Sequence, residues 1–299
     1  MSIPRKAILI CNPKTGRYGT RRAPRIAALC DYLKTHGVDV EQVSTTGPGD
    51  AARLAARAAK NGINEVIVSG GDGTINEALQ GLVGTDARLS ILPHGTANVL
   101  AHELKLPMNS KQAASVIARG HTRKVHLGCA IDEGLGIRRY FFLMAGIGLD
   151  ASIVSRVNPK LKKRIGKAAF WYSGFSQLAD WEPIPFQIAI NGQSYTVTFA
   201  TIGKAASYGG DLSVTPRAQL DQPDFEICLV ESRSRLRYLR MLGYALRDTA
   251  TSKRRGMRYL RATSATATGT NAVQVDGEPI GKLPMTFEIA PEMIEVTVP

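Results

Sequence analysis

"IVSGGDGTINEALQGL", residues 67–82, decides how the first half of the chain folds. An apolar run ends at Gly70 and Gly71, Asp72 and Gly73 follow, and Ile75, Ala78, Leu79, Leu82 and Val83 then recur on one helical face. A buried strand that turns through glycines straight into a helix is the unit from which parallel α/β sheets are built. The glycines let the backbone adopt φ > 0 and approach a ligand with no Cβ in the way. Thr74 is predicted to N-cap a helix starting at Ile75, whose first turn offers N–H groups and a positive dipole to an anion. Asp72 then raises a question. A carboxylate in a phosphate loop repels the phosphate unless a cation lies between them, or else it only bonds backbone N–H groups of the turn.

The neighbouring segments repeat the pattern. "ILPHGTANVLA" (91–101) again runs a strand into a glycine, Gly95, with Thr96 and Asn98 at a helix start. "CNPKTG" (11–16) follows the first apolar run and adds a third glycine loop. Strands are predicted at 6–11, 38–43, 65–70 and 88–93. Helices are predicted at 23–37, 49–62 with Asp50 as N-cap, from 75, through Leu104, and at 110–120. Alternation of this kind means a parallel sheet with helices on both faces, hence three layers, over residues 1–125. Beyond about 125 the segments become strand-like, with hairpin signals at Asn191-Gly192 and Asp276-Gly277. Two helical insertions are expected around 152–180 and 234–250, within a β-rich second domain over 126–284. The stretch "HLGCAIDEGLGI" (126–137) carries little structural signal.

The chain has 299 residues, 44% hydrophobic and 21% charged, as a folded protein does. No run approaches the roughly 18 apolar residues of a membrane span. The opening apolar run is too short for a signal peptide and has no small-residue cleavage site after it, so a cytoplasmic protein is expected. Cys11, Cys30, Cys129 and Cys228 form no C-x-x-C pair, which argues against a disulfide framework or a zinc site. "AHELKL" (101–106) has Leu106 where H-E-x-x-H needs its second histidine, so His102 reads as an ordinary helix residue.

The net charge of +13 is local. Residues 156–175 hold six basic groups and no acid, and residues 232–261 hold ten basic groups and one acid, Asp248. Both stretches set the basic groups among aromatic or aliphatic side chains. They fit an anionic membrane surface or a solvated cationic face, and no nucleic acid is expected because no recognised motif accompanies the charge. A P-loop is excluded, since no G-x-x-x-x-G-K-[ST] occurs. "GIGLDA" (146–151) fits G-x-G-x-x-A but lacks the acid some twenty residues on, so a glycine-lined bend facing a cleft is expected there.

Taken in order, "NPKTG", "SGGDGTINEAL", "LPHGTANVLA", "GIGLDA", "YGG" (208–210) and "VDGEP" (275–279) resemble the diacylglycerol kinase catalytic-domain family, which includes bacterial lipid kinases and relatives of sphingosine and ceramide kinases. The likeness runs over nearly the whole chain. It implies an α/β nucleotide-binding domain, a β-sandwich-like acceptor domain, a nucleotide cleft between them, and a final strand near 285–299 returning to the first domain. It also implies an ATP- and Mg²⁺-dependent kinase acting on a membrane lipid and peripherally associated with the membrane; a homodimer stays open. The residues implied for the nucleotide are Asn12, Gly16, Gly70, Gly71, Asp72, Gly73, Thr74, Glu77, Gly95, Thr96 and Asn98. Asp72 and Glu278 are implied for the active-site Mg²⁺, with Asp276 as general base; Asp72 contacting the attacking hydroxyl itself is an open alternative. By itself "VQVDGEPIG" reads as a hairpin with a type I′ turn. The family's acidic run has Asp-Gly where this chain has Gln222-Pro223 within "AQLDQPDFEICLV". Asp221, Asp224 and Glu226 remain, but a structural Mg²⁺ at Asp221 and Asp224 is put in doubt. A soluble-substrate NAD kinase and a non-catalytic membrane-associated nucleotide sensor are the alternatives.

Overall fold

The computed structural model describes residues 4–13, 22–148, 183–209, 212–234 and 256–299. These fall into two compact units, one of residues 1–125 with 291–299 and one of residues 126–290.

The first unit alternates strand and helix: β1 (Arg5–Cys11), α1 (Arg22–Thr35), β2 (Val38–Ser44), α2 (Asp50–Lys60), β3 (Glu65–Gly70), α3 (Asp72–Leu82), β4 (Arg88–Pro93), α4 (Val99–Glu103) and α5 (Ser110–Arg119). β5 (Thr122–Asp132) begins in this unit and continues into the other. The sheet order is β2-β1-β3-β4, all parallel, and Val296 of the chain's last strand lies parallel beside Leu89. Every residue of β3 is buried, which is why it reads as one apolar run rather than an alternation. On one face Ala7, Leu9, Ile67 and Leu92 meet Ile26, Leu29 and Leu33 of α1 and Ala113, Ala114 and Ile117 of α5. The opposite face carries α2 and α3, which pack through small residues. A Cβ on Gly81 would lie 2.1 Å from the Ala52 carbonyl oxygen, so only glycine permits that approach.

The second unit is antiparallel: β6 (Ile137–Phe141), β7 (Met144–Gly148), β8 (Phe186–Ile190), β9 (Gln193–Val197), β10 (Phe199–Gly203), β11 (Ser207–Gly209), β12 (Leu212–Ser213), β13 (Phe225–Val230), β14 (Arg258–Ala262), β15 (Ser264–Thr268), β16 (Ala272–Val275), β17 (Glu278–Lys282) and the first half of β18 (Met285–Thr297). One sheet runs β14-β13-β10-β7-β16-β17, and the other runs β18-β15-β8-β9. Ile147, Ile202, Ile227 and Val273 of the first pack against Ile188, Ala267 and Phe287 of the second, the core of a sandwich. Both expected type I′ hairpins form, with positive φ at Asn191 (50°) and Gly192 (77°) and at Asp276 (47°) and Gly277 (83°).

Some local expectations are corrected. Asp50 is the first helical residue of α2 and not its N-cap, which is Gly49 in a left-handed conformation. The Asp50 carboxylate instead accepts from Thr46 and Gly47 before the helix and pairs with Arg53. These bonds hold its carboxyl well below the usual range, with the Thr46 hydroxyl the largest cause. Gly146 and Gly148 lie in a buried strand between β10 and β16, and residues 149–151 of the expected bend lie outside the described residues. The two basic insertions lie outside the described residues apart from 232–234 and 256–261. No described helix is long and apolar enough to cross a membrane, and the four cysteines form no disulfide.

Candidate functional site

Two loops leave neighbouring parallel strands at their carboxyl ends, the edge of an open α/β sheet where ligands bind. The first joins β3 to α3 and the second joins β4 to α4. They touch through bare backbone. A Cβ added to Gly95 would lie 2.5 Å from the Gly71 Cα, and one added to Gly71 would lie 3.1 Å from the Gly95 Cα. Gly71 itself is extended (φ −101°, ψ −178°), and neither Gly70 nor Gly95 has a positive φ. Gly71 and Gly95 are therefore required for close approach of the loops and Gly70 for room beside Thr74, while the expected positive φ occurs at none of the three. The conversion Gly95→Ala should destabilise the protein by about 1–3 kcal/mol, whereas Gly47→Ala, with nothing near its added methyl, should change little. Urea unfolding of both variants checks this; equal midpoints would remove the packing argument.

The side chains of the loops complete the arrangement. Helix α3 starts at Asp72, with Gly71 as an N-cap that supplies no side-chain bond, so Thr74 is not the cap. Thr74 is buried one turn in, and its hydroxyl accepts a bond of 2.9 Å from Asn12 Nδ2 at the end of β1. Asp72 Oδ1 accepts from the Leu100 N–H at 3.3 Å, reaching across to the first turn of α4. Asn98 sits in the left-handed region (φ 48°, ψ 47°) and closes its loop on itself, its Oδ1 accepting from Gly95 N–H at 2.7 Å and its Nδ2 donating to Gly95 O at 3.1 Å. Thr96 lies in that loop. Asn12, Gly70, Gly71, Asp72, Thr74, Gly95 and Asn98 are thus brought together. Glu77 is not: its Oε1 accepts from the Ala51 N–H at 2.9 Å at the start of α2. Gly16 lies outside the described residues.

One residue that the sequence did not single out ties the loops together. His94 bridges Ser69 Oγ (2.9 Å from Nδ1) and Ser110 Oγ (3.1 Å from Nε2), while its N–H donates to Gly70 O at 3.0 Å. Nothing in "LPHGT" betrays this, because both serines are distant in sequence.

In the second unit Asp276 occupies the turn between β16 and β17. Its Oδ2 accepts from Phe142 N–H (2.9 Å) and its Oδ1 from Leu143 and Met144 N–H (2.9 and 3.0 Å), so both oxygens hold the segment that enters β7. Glu278, two residues on, exposes 41% of its side chain and pairs with Arg139 at 2.8 Å. Two acids of the 218–230 run, Asp224 and Glu226, are held by arginines, and Asp221 is exposed. Arg261 binds both oxygens of Asp224, and Arg217 binds buried Glu226 through its backbone N–H and its Nε (2.7 Å). Lys204, fully buried, points its ammonium at the carbonyls of Gln219, Gln222 and Asp224. Burial pulls its pKa down to about 8 against the opposing pull of Asp224 and Asp221. A structural Mg²⁺ fits poorly in a cradle whose three carbonyls already face an ammonium and whose Asp224 already faces a guanidinium group.

Known proteins share this organisation. The profile of the diacylglycerol kinase catalytic domain matches residues 6–130, and that of the YegS C-terminal NAD kinase beta sandwich-like domain matches residues 144–298. A diacylglycerol kinase of Mycobacterium tuberculosis is 34% identical over 240 residues, 79% of this chain and 76% of the relative. One from Staphylococcus saprophyticus is 29% identical over 301 residues, 99% of this chain and 96% of the relative. A crystal structure of a diacylglycerol kinase from Bacillus anthracis superposes with a TM-score of 0.75 at 22% identity, covering 100% of this chain and 98% of that one, which shows a common fold.

Proposed function

The chain belongs to the diacylglycerol kinase family, and we propose that it transfers the γ-phosphoryl group of ATP, with Mg²⁺, to a hydroxyl of a membrane lipid. The observation that carries this reading is the back-to-back contact of Gly71 and Gly95, which sets two strand–loop–helix turns side by side at one sheet edge. Backbone N–H groups at the start of α3 suit a phosphate chain there. Asn12 and Asn98 act as braces, the first on Thr74 and the second within its own loop.

The donor set at Asp72 suits Mg²⁺. A single carboxylate suits an ion that keeps several waters and takes phosphate oxygens rather than a protein cage. Mg²⁺ held by Asp72 through water would offset the charge of the phosphates. Asp72 then has two roles, one electrostatic and one in joining the loops through Leu100. Asp72→Asn keeps an oxygen for the Leu100 N–H and removes the charge. It should therefore leave Tm unchanged while weakening Mg²⁺-dependent transfer at least ~10²-fold; a parallel fall in Tm would assign Asp72 to folding alone.

For proton removal from the acceptor hydroxyl we favour Glu278 over Asp276. The three backbone bonds at Asp276 support a positioning role, and the exposed Glu278 carboxylate supports contact with substrate. The basic stretches at 156–175 and 232–261 are proposed to hold the protein at an anionic membrane, although Arg258 and Arg261 of the second are paired with Glu231 and Asp224. Transfer of label from γ-labelled ATP tests the whole reading, with a diacylglycerol, a mixed lipid extract in neutral or anionic vesicles, and NAD as acceptors. A Mg²⁺-dependent labelled lipid, stronger on anionic vesicles, is the expected result. Labelled NADP would move the reading to a soluble acceptor, and nucleotide binding without any labelled product would move it to a sensor.

A further inference from the structure

Lys204 follows β10 and has none of its surface exposed. An ammonium has three N–H donors, and burying one without partners is strongly unfavourable. Here each donor has an acceptor. Nζ donates to Gln219 O (3.0 Å), to Asp224 O (3.4 Å) and, by its closest contact, to Gln222 O. Three carbonyls of one short loop converging on a point form the kind of oxygen cage that hard cations occupy. The loop is closed by a Gln222 N–H to Gln219 O bond of 3.2 Å and is held from outside by His126 N–H, which donates to Leu220 O at 2.9 Å. Of the acids nearby, Asp224 faces Arg261 and Glu226 faces Arg217, which leaves only the exposed Asp221 without an arginine.

We infer that the Lys204 ammonium is the built-in cation of the 219–224 loop, standing where the acidic run invites a divalent ion, so that this unit is held without structural metal. The same stretch of backbone meets the segment that holds the Asp276 turn. The backbone N–H groups of Lys204 and Ala205 both donate to Leu143 O, at 2.8 and 3.0 Å, and Leu143 N–H is one of the three donors that hold Asp276. These are backbone bonds, independent of the side chain at 204, so the ammonium acts on its own loop alone.

The test needs neither nucleotide nor lipid, so its failure would leave the kinase reading intact. Wild-type protein, purified without chelator and dialysed against metal-free buffer, should contain no stoichiometric divalent ion by plasma mass spectrometry. Its Tm should be the same in EDTA, in millimolar Mg²⁺ and in millimolar Ca²⁺. Lys204→Met, which keeps the bulk and leaves the carbonyls without a donor, should lower Tm by about 3–8 °C and speed amide exchange in the 219–224 loop relative to β3. A stoichiometric ion, or a drop in wild-type Tm on adding EDTA, would overturn the inference. So would a Lys204→Met protein with wild-type Tm and exchange. If that variant does not fold, the metal content and EDTA response of the wild type still decide between ammonium and metal.

Discussion

Glu278→Gln should lower kcat by about 10²–10⁴-fold, the usual contribution of a general base, while nucleotide affinity and Tm stay close to wild type. Glutamine keeps the shape and an oxygen for Arg139 but cannot take up a proton. The ion pair it weakens is part-exposed on both sides, 26% for Arg139 and 41% for Glu278, so its loss should change stability by less than ~1 kcal/mol. Asp276→Asn should behave differently. Its carboxylate accepts three backbone N–H bonds, and an amide has one oxygen, so an NH₂ group would be turned toward a donor. That mismatch should destabilise by about 1–3 kcal/mol, and any fall in kcat would come with a fall in Tm. Measuring kcat, KM and Tm on both variants separates the two roles. Normal turnover in Glu278→Gln beside a kcat loss in Asp276→Asn at unchanged Tm would return the base assignment to Asp276.

What the sequence disclosed and what it hid follow one physical line. Strands buried on both faces are continuous apolar runs, and β3 and β4 stop at glycine and proline, so the parallel half was legible residue by residue. Both type I′ hairpins were legible because Asn-Gly and Asp-Gly are chosen by backbone geometry within the turn itself. Hidden features depend on partners far away in sequence. Gly71 and Gly95 advertise that glycine is needed, yet the reason, each other's backbone, lies 24 residues off. Gly128, in the 126–137 stretch that carried little signal, sits inside β5 under the Phe141 ring, where a Cβ would come within 2.2 Å of the ring carbon Cζ. A glycine in a strand for packing looks like a turn, and the Leu127, Cys129, Ile131 alternation around it was passed over. The roles of Asp276 and Lys204 were hidden for a deeper reason. Their partners are backbone N–H and C=O groups, which every residue type supplies and no motif can spell.

Glu65→Ala should destabilise the first unit by about 3–5 kcal/mol, the range for stripping one partner from a buried ion pair, with a Tm loss of roughly 2–4 °C for each kcal/mol. Glu65 opens β3 with 1% of its side chain exposed. It binds Arg88 at 2.9 Å and accepts from Ser90 Oγ at 2.8 Å, and Arg5 approaches to 3.9 Å. Ser90 Oγ in turn lies 2.6 Å from Thr297 Oγ1, so one buried carboxylate connects β1, β3, β4 and the end of β18. Arg88 and Arg5 keep 18% and 30% exposure and can be partly rehydrated, which places the expected value toward the lower end of the range. Glu65→Gln retains an acceptor for Ser90 without the charge and should lie between wild type and alanine. Amide exchange in 294–298 should quicken more than in β2, since the last strand shares the lost network and β2 does not. The double variant Glu65→Leu/Arg88→Met should recover much of the loss, because an apolar pair removes the stranded charge as well as the attraction. If Glu65→Ala proved neutral, the carboxylate would be a passenger in the sheet, and the last strand would be held by its backbone pairing and apolar side chains alone.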